Sequence, residues 1–178
     1  MTMEKVQSGG GYEQAARKGR LYGAMNQSAT AFSVALATTY TGIVLSNPAG
    51  SKFNLELIMA GLALTAAPAA VAPIMLFGGW LAAGITAHTT PLVPFSMSVG
   101  SAFLTAPVGL ADAAATLVGT PTWMIPLLGG FTAAAFPNPI QVEDMRGVSI
   151  ILPGGYIGIG ALTAVTGFGS LVWEEIIA

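Results

Sequence analysis

Few side chains in this chain can do acid–base, nucleophilic or metal chemistry, and their spacing limits what each can do. The one histidine, His88, sits in Ala87-His88-Thr89-Thr90 with no carboxylate beside it. Neither a Ser–His–Asp arrangement nor a multi-histidine metal site can be read around it, so it reads as a loop or interface histidine. The absence of cysteine removes disulfides, thiolate metal sites and a cysteine nucleophile. Acid pairs occur at Glu143-Asp144 and Glu174-Glu175. Neighbours along a strand point to opposite faces, so neither pair is a ready-made dyad, and both read as solvated loop and strand-end charges. Gly158-Ile159-Gly160 opens like a dinucleotide fingerprint, but Thr163 stands where the third glycine belongs and no helical pattern follows. Glycines that admit a neighbouring backbone explain that segment better. Asn26-Gln27-Ser28 matches a glycosylation acceptor, which matters only in a secreted eukaryotic protein. No catalytic, cofactor-binding or metal-ligating residue is assigned, and the expectation is a protein that is not an enzyme and needs no cofactor.

The basic residues give the one binding hypothesis. Lys5, Arg17, Lys18 and Arg20 carry four of the six basic charges, against Glu4 and Glu13 in the same stretch. Residues 1–22 read as a basic, flexible arm in which these four grip an acidic partner surface, made mobile by Ser8-Gly9-Gly10-Gly11. The same charges would also suit a cytoplasmic membrane anchor or an ordinary solvated tail. Residues 23–178 carry too few basic residues for a nucleic-acid surface and read as a single domain. The first twenty residues lack the apolar stretch of a secretory signal.

What must position these residues follows from composition. Only 8% of residues are charged and 53% are hydrophobic, and no Lys, Arg, Asp or Glu lies between Glu56 and Asp112. Such a chain either lives in lipid or buries itself against copies and partners. Leu57 to Leu76 and Val148 to Trp173 are apolar enough for a membrane reading, yet eleven prolines divide the chain finely. Alternation points to strands. Phe95, Met97, Val99 and Phe103 share a face at period two, and so do Phe53, Leu55, Leu57 and Met59, which puts Glu56 on an outer face. Near the end, Leu171 and Trp173 alternate with Ser170, Val172 and Glu174, so Trp173 is expected inside with Glu174 and Glu175 at a wetter strand end. Asn47-Pro48-Ala49-Gly50-Ser51 and Pro153-Gly154-Gly155 read as turns.

Strands are expected over 31–36, 40–46, 53–65, 71–77, 95–104, 122–127, 131–136, 148–152, 156–165 and 168–176, and short helices over 11–25 and 110–118. That makes an all-β, antiparallel sandwich of about 8–10 strands. A transmembrane barrel would need aromatic girdles that this sequence lacks. A soluble sandwich with so few charges needs much of its surface covered by other subunits.

Four segments appear in a familiar order: Gly42-Ile-Val-Leu-Ser-Asn-Pro-Ala-Gly-Ser51, Phe53-Asn-Leu-Glu-Leu57, Leu152-Pro-Gly-Gly-Tyr-Ile157 and Ser170-Leu-Val-Trp-Glu-Glu-Ile176. Over residues 30–178 the chain resembles small structural proteins, of the decoration or cement type, from the virions of tailed bacteriophages. The resemblance implies a jelly-roll-like sandwich on the head or another part of the virion, working as a homo-oligomer with a trimer favoured. Its partners would be its own copies and the major capsid protein or another virion protein. The alternative reading is a small multi-pass integral membrane protein.

Overall fold

The computed structural model describes residues 11–34, 36–66, 68–80, 85–98, 106–128 and 140–178. Its strands are β1 (Leu21–Met25), β2 (Thr30–Phe32), β3 (Thr39–Ser46), β4 (Phe53–Leu64), β5 (Ile74–Trp80), β6 (Ile85–Leu92), β7 (Phe95–Ser96), β8 (Leu110–Leu117), β9 (Thr122–Leu128), β10 (Ile140–Ile151), β11 (Gly155–Ala161) and β12 (Val165–Ile177), preceded by the helix α1 (Gly11–Arg17). They form two antiparallel sheets, one ordered β10-β4-β12-β1-β7 with β2 attached to β12, the other β6-β8-β3-β11-β5-β9.

The pairings are nested. β1 pairs with β12, β3 with β11, β4 with β10 and β5 with β9, so the two halves of the chain zip together from the outside in. Successive nested pairs fall in alternate sheets, which rolls one long hairpin into a sandwich of jelly-roll order. The expected fold class is therefore observed. The two sheets enclose the main core, in which Ile43, Leu45, Leu57, Ile159, Leu171 and Trp173 are fully or almost fully buried. β12 shows why the sequence folds this way: from Val165 to Glu175 every second residue is buried and those between are at least partly exposed.

Several expectations change. Residues 110–118 do not form a helix; Leu110–Leu117 is β8, held between β3 and β6. The run Ala111-Asp-Ala-Ala-Ala115 has helical propensity, but two-sided pairing outweighs so weak a preference. The helix expected over 11–25 ends at Arg17. Gly19, at φ 66°, caps it, with the Arg20 N–H donating to Ala15 O and the Gly19 N–H to Ala16 O, and the chain enters β1 at Leu21. Ala15 is buried against Leu21 and Ile58, so α1 packs on the outside of the first sheet. Met59 is exposed instead of inward because Ile58 has no counterpart between Trp173 and Val172; this bulge flips the phase of β4 and turns Ile58 toward α1. Of the strand expected over 95–104 only Phe95–Ser96 is seen, and residues 99–104, like the expected strand 131–136, lie outside the described residues. β6 was not expected; Pro91 and a polar sequence suit its place at a sheet edge.

The apolar run from Leu57 to Leu76 is shared between β4 in one sheet and β5 in the other. Among the described residues no helix is long and apolar enough to cross a membrane.

Candidate functional site

The strongest candidate surface is built from turns and edges. Leu152-Pro153-Gly154-Gly155 joins β10 to β11 as a tight turn, with Gly154 at φ 85° and the Gly155 N–H donating to Leu152 O at 2.8 Å. Proline second and a positive-φ glycine third are what a type II turn requires. Asn47, buried at the start of the other turn, donates through Nδ2 to Phe53 O (2.7 Å) and Ile151 O (2.9 Å), and its backbone exchanges bonds with Gly154 and Gly155. The two turn segments that carried the resemblance are thus stitched together.

Beside this junction the described residues line a groove. β10 ends one sheet and β9 the other, and between them this groove, of ≈ 330 Å³, is lined by Gly78, Trp80, Met124, Ile150, Leu152 and Tyr156, with neighbours. Gly78 has no Cβ where the Met124 sulfur lies, which lets that side chain fold over the groove floor. Trp80 is 70% exposed, Ile150 57%, Leu152 51% and Met124 49%. Val148, two residues before Ile150, is 74% exposed. No charged side chain is found among the described lining residues. The Tyr156 hydroxyl donates to Val118 O at 3.1 Å, and burial pushes its pKa up. Chemically this is a surface for apolar contact.

Two buried polar arrangements lie elsewhere. His88 Nδ1 and Asp112 Oδ2 are 2.7 Å apart across β6 and β8; the Asp112 side chain is fully buried, that of His88 36% exposed. Removal from water raises the Asp112 pKa, partly offset by the hydrogen bond and charge of His88, and Asp112 Oδ1 has no hydrogen-bond partner among the described residues. His88 has no carboxylate near it in sequence, as expected, but it lies in strand β6 instead of a loop, and strand pairing brings it to Asp112, 24 positions along the chain, which local spacing does not reveal. Glu175 is the second. It is 5% exposed, and its Oε1 accepts from the backbone N–H groups of Val108 (2.7 Å) and Gly109 (2.9 Å), with the Trp173 indole N–H at 3.4 Å. The reading of Glu175 as a solvated strand-end charge is therefore wrong. Trp173 is buried as expected, and period two places Glu175 on the same inward face.

Of the four basic candidates, Lys5 lies outside the described residues. Arg17 ends α1 and Lys18 follows it, both exposed, while Arg20 is ion-paired to Glu174 at 2.7 Å. Three of the four are thus close along the chain, with Arg20 held against β12 of its own fold. Glu143 and Asp144 lie on edge strand β10. Asn26 is 2% exposed, so its side chain does not present a glycosylation acceptor. Gly158 and Gly160 make room for the rings of Phe77 and Trp123, beyond the close backbone approach expected of them. Sequence reasoning missed the groove because its lining comes from four strands and one turn, and each segment alone reads as ordinary core.

No protein-family model, curated protein or solved structure matches the chain.

Proposed function

We propose that this is a non-enzymatic structural protein of a tailed-bacteriophage virion, which decorates or cements the capsid through apolar contacts between subunits. The observation that carries the reading is the groove, with no charged side chain among its described lining residues and with Trp80, Ile150, Leu152 and Met124 standing in solvent around it. A contiguous apolar patch at one end of a rigid sandwich serves association better than chemistry. The jelly-roll order, and the resemblance of four short segments to virion proteins, support the same reading. Its partners on this view are its own copies, in a closed and preferably trimeric assembly, and a capsid protein; its place is the virion surface. The basic residues Arg17, Lys18 and Lys5 are proposed to add charge contacts to an acidic partner.

The test is density-gradient purification of phage particles followed by peptide mass spectrometry. The chain is expected to co-sediment with the major capsid protein at a fixed ratio through repeated gradients. Recovery in the membrane fraction, with none on particles, would refute the proposal.

A further inference from the structure

From the area and chemistry of the groove, we infer that its occupant is a second copy of this chain, with the Trp80 indole of one copy seated in the groove of the next. This deepens the structural reading above and rests on it.

Size is the first argument. Roughly 1.5–3 kcal/mol per buried aliphatic side chain at about 25 cal/mol per Å² corresponds to about 60–120 Å² each, and a tryptophan carries about 150–250 Å². Scaled by their exposures, Trp80, Met124, Val148, Ile150 and Leu152 leave roughly 250–450 Å² of apolar side chain in solvent. An interface of ordinary size takes about 800 Å² from each partner, a little over half of it apolar, so this patch supplies between about half and the whole of one partner's apolar share. A small ligand filling ≈ 330 Å³ would leave the outer face of Trp80 and all of Val148 uncovered.

Chemistry is the second. The described lining bears no charge, so nothing there selects a basic or acidic partner. The patch also carries a projection and a hollow side by side: Trp80 stands 70% exposed on the rim of the groove it helps to line. A second copy offers the same projection, the same hollow and the same area, always at equal concentration. A contact of this kind makes a symmetric pair where the two copies exchange it reciprocally, and a ring where the rotation from copy to copy closes. A tryptophan inserted at the centre of such a contact is the usual dominant anchor, and removing one weakens association by roughly thirtyfold or more.

The experiment is sedimentation velocity of the full chain over a range of concentrations, for wild type, Trp80→Ser, Ile150→Lys and a control, Val93→Ser, which is 90% exposed and does not line the groove. Circular dichroism and thermal melting of each variant establish that it is folded; both groove positions are exposed, so folding is expected to survive. The inference expects oligomers for wild type and the Val93 variant, and folded proteins that associate at least roughly thirtyfold more weakly for Trp80→Ser and Ile150→Lys. Groove variants that keep the wild-type oligomer would overturn the inference while leaving the structural role standing. A monomeric wild type that binds capsids, with Trp80→Ser failing to bind, would assign the groove to the capsid and overturn it too. A monomeric wild type that binds no particle would remove both readings.

Discussion

Removing the Glu175 carboxylate tests how the loop before β8 is fixed to the core. Its Oε1 accepts two backbone N–H bonds, from Val108 and Gly109, and the Trp173 indole N–H lies at the edge of bonding distance. Hydrogen bonds to a charged group contribute about 1.5–3 kcal/mol each, and every buried donor left without an acceptor costs about 1–3 kcal/mol. Glu175→Ala strips the acceptor from both backbone donors at once, Gly109 being buried and Val108 partly so, and the expected loss is about 3–5 kcal/mol. For a chain of this length each kcal/mol moves the melting temperature by about 2–4 °C, giving a fall of roughly 6–20 °C. Glu175→Gln keeps a carbonyl oxygen in reach of the same donors and gives up only the charge, so its loss is expected to be about 1 kcal/mol. Thermal unfolding by circular dichroism at neutral pH, wild type against both variants, gives the comparison. If alanine and glutamine lower the melting temperature equally, or neither lowers it, the carboxylate does not hold the loop and the reasoning fails.

Trp173→Ala empties a fully buried site beside Tyr22 and is expected to destabilise by about 3–5 kcal/mol; an unchanged urea midpoint would put the core face in error. Because the Asp112 pKa is raised by burial, the folded state holds that proton more tightly than the unfolded chain. Its stabilising contribution is therefore present below the unfolded value and is lost as pH rises through the raised folded one. The melting temperature of Asp112→Asn, measured against wild type, should accordingly gain as pH is raised from about 3 toward neutrality, and a constant or reversed gap would contradict this. Deleting residues 1–20 uncovers Ile58 and removes the Arg20–Glu174 pair, so the sandwich should still fold but lose about 1–3 kcal/mol and bind particles less well. Unaltered stability together with full loading onto particles would deny α1 and its basic residues any role.

The sequence signals that proved readable were local and periodic. Alternation over Phe53, Leu55 and Leu57 and over Leu171 and Trp173, and the turns at 47–51 and 153–155, were enough to reach an antiparallel sandwich and to place Trp173 inside it. Signals that depended on other segments were lost. The alanines of Leu110–Leu117 look helical until β3 and β6 lie on either side. Met59 keeps its expected face only if β4 is regular, and the bulge at Ile58 is set by pairing with β12. His88 and Asp112 meet across paired strands, and the groove takes its walls from β5, β9, β10 and β11, which come together only through the nested pairing. Glu175 could have been found: it stands two residues after Trp173 and four after Leu171 on a strict inward alternation, but an acid at a strand end reads as solvated.

The proposed place of the chain in a virion shell is tested by electron cryomicroscopy of purified particles with and without this chain. The expected result is a sandwich-sized density at symmetry-related positions on the shell, present only when the chain is, with neighbouring copies touching through the side that holds Trp80. Shells that are identical with and without the chain would contradict it.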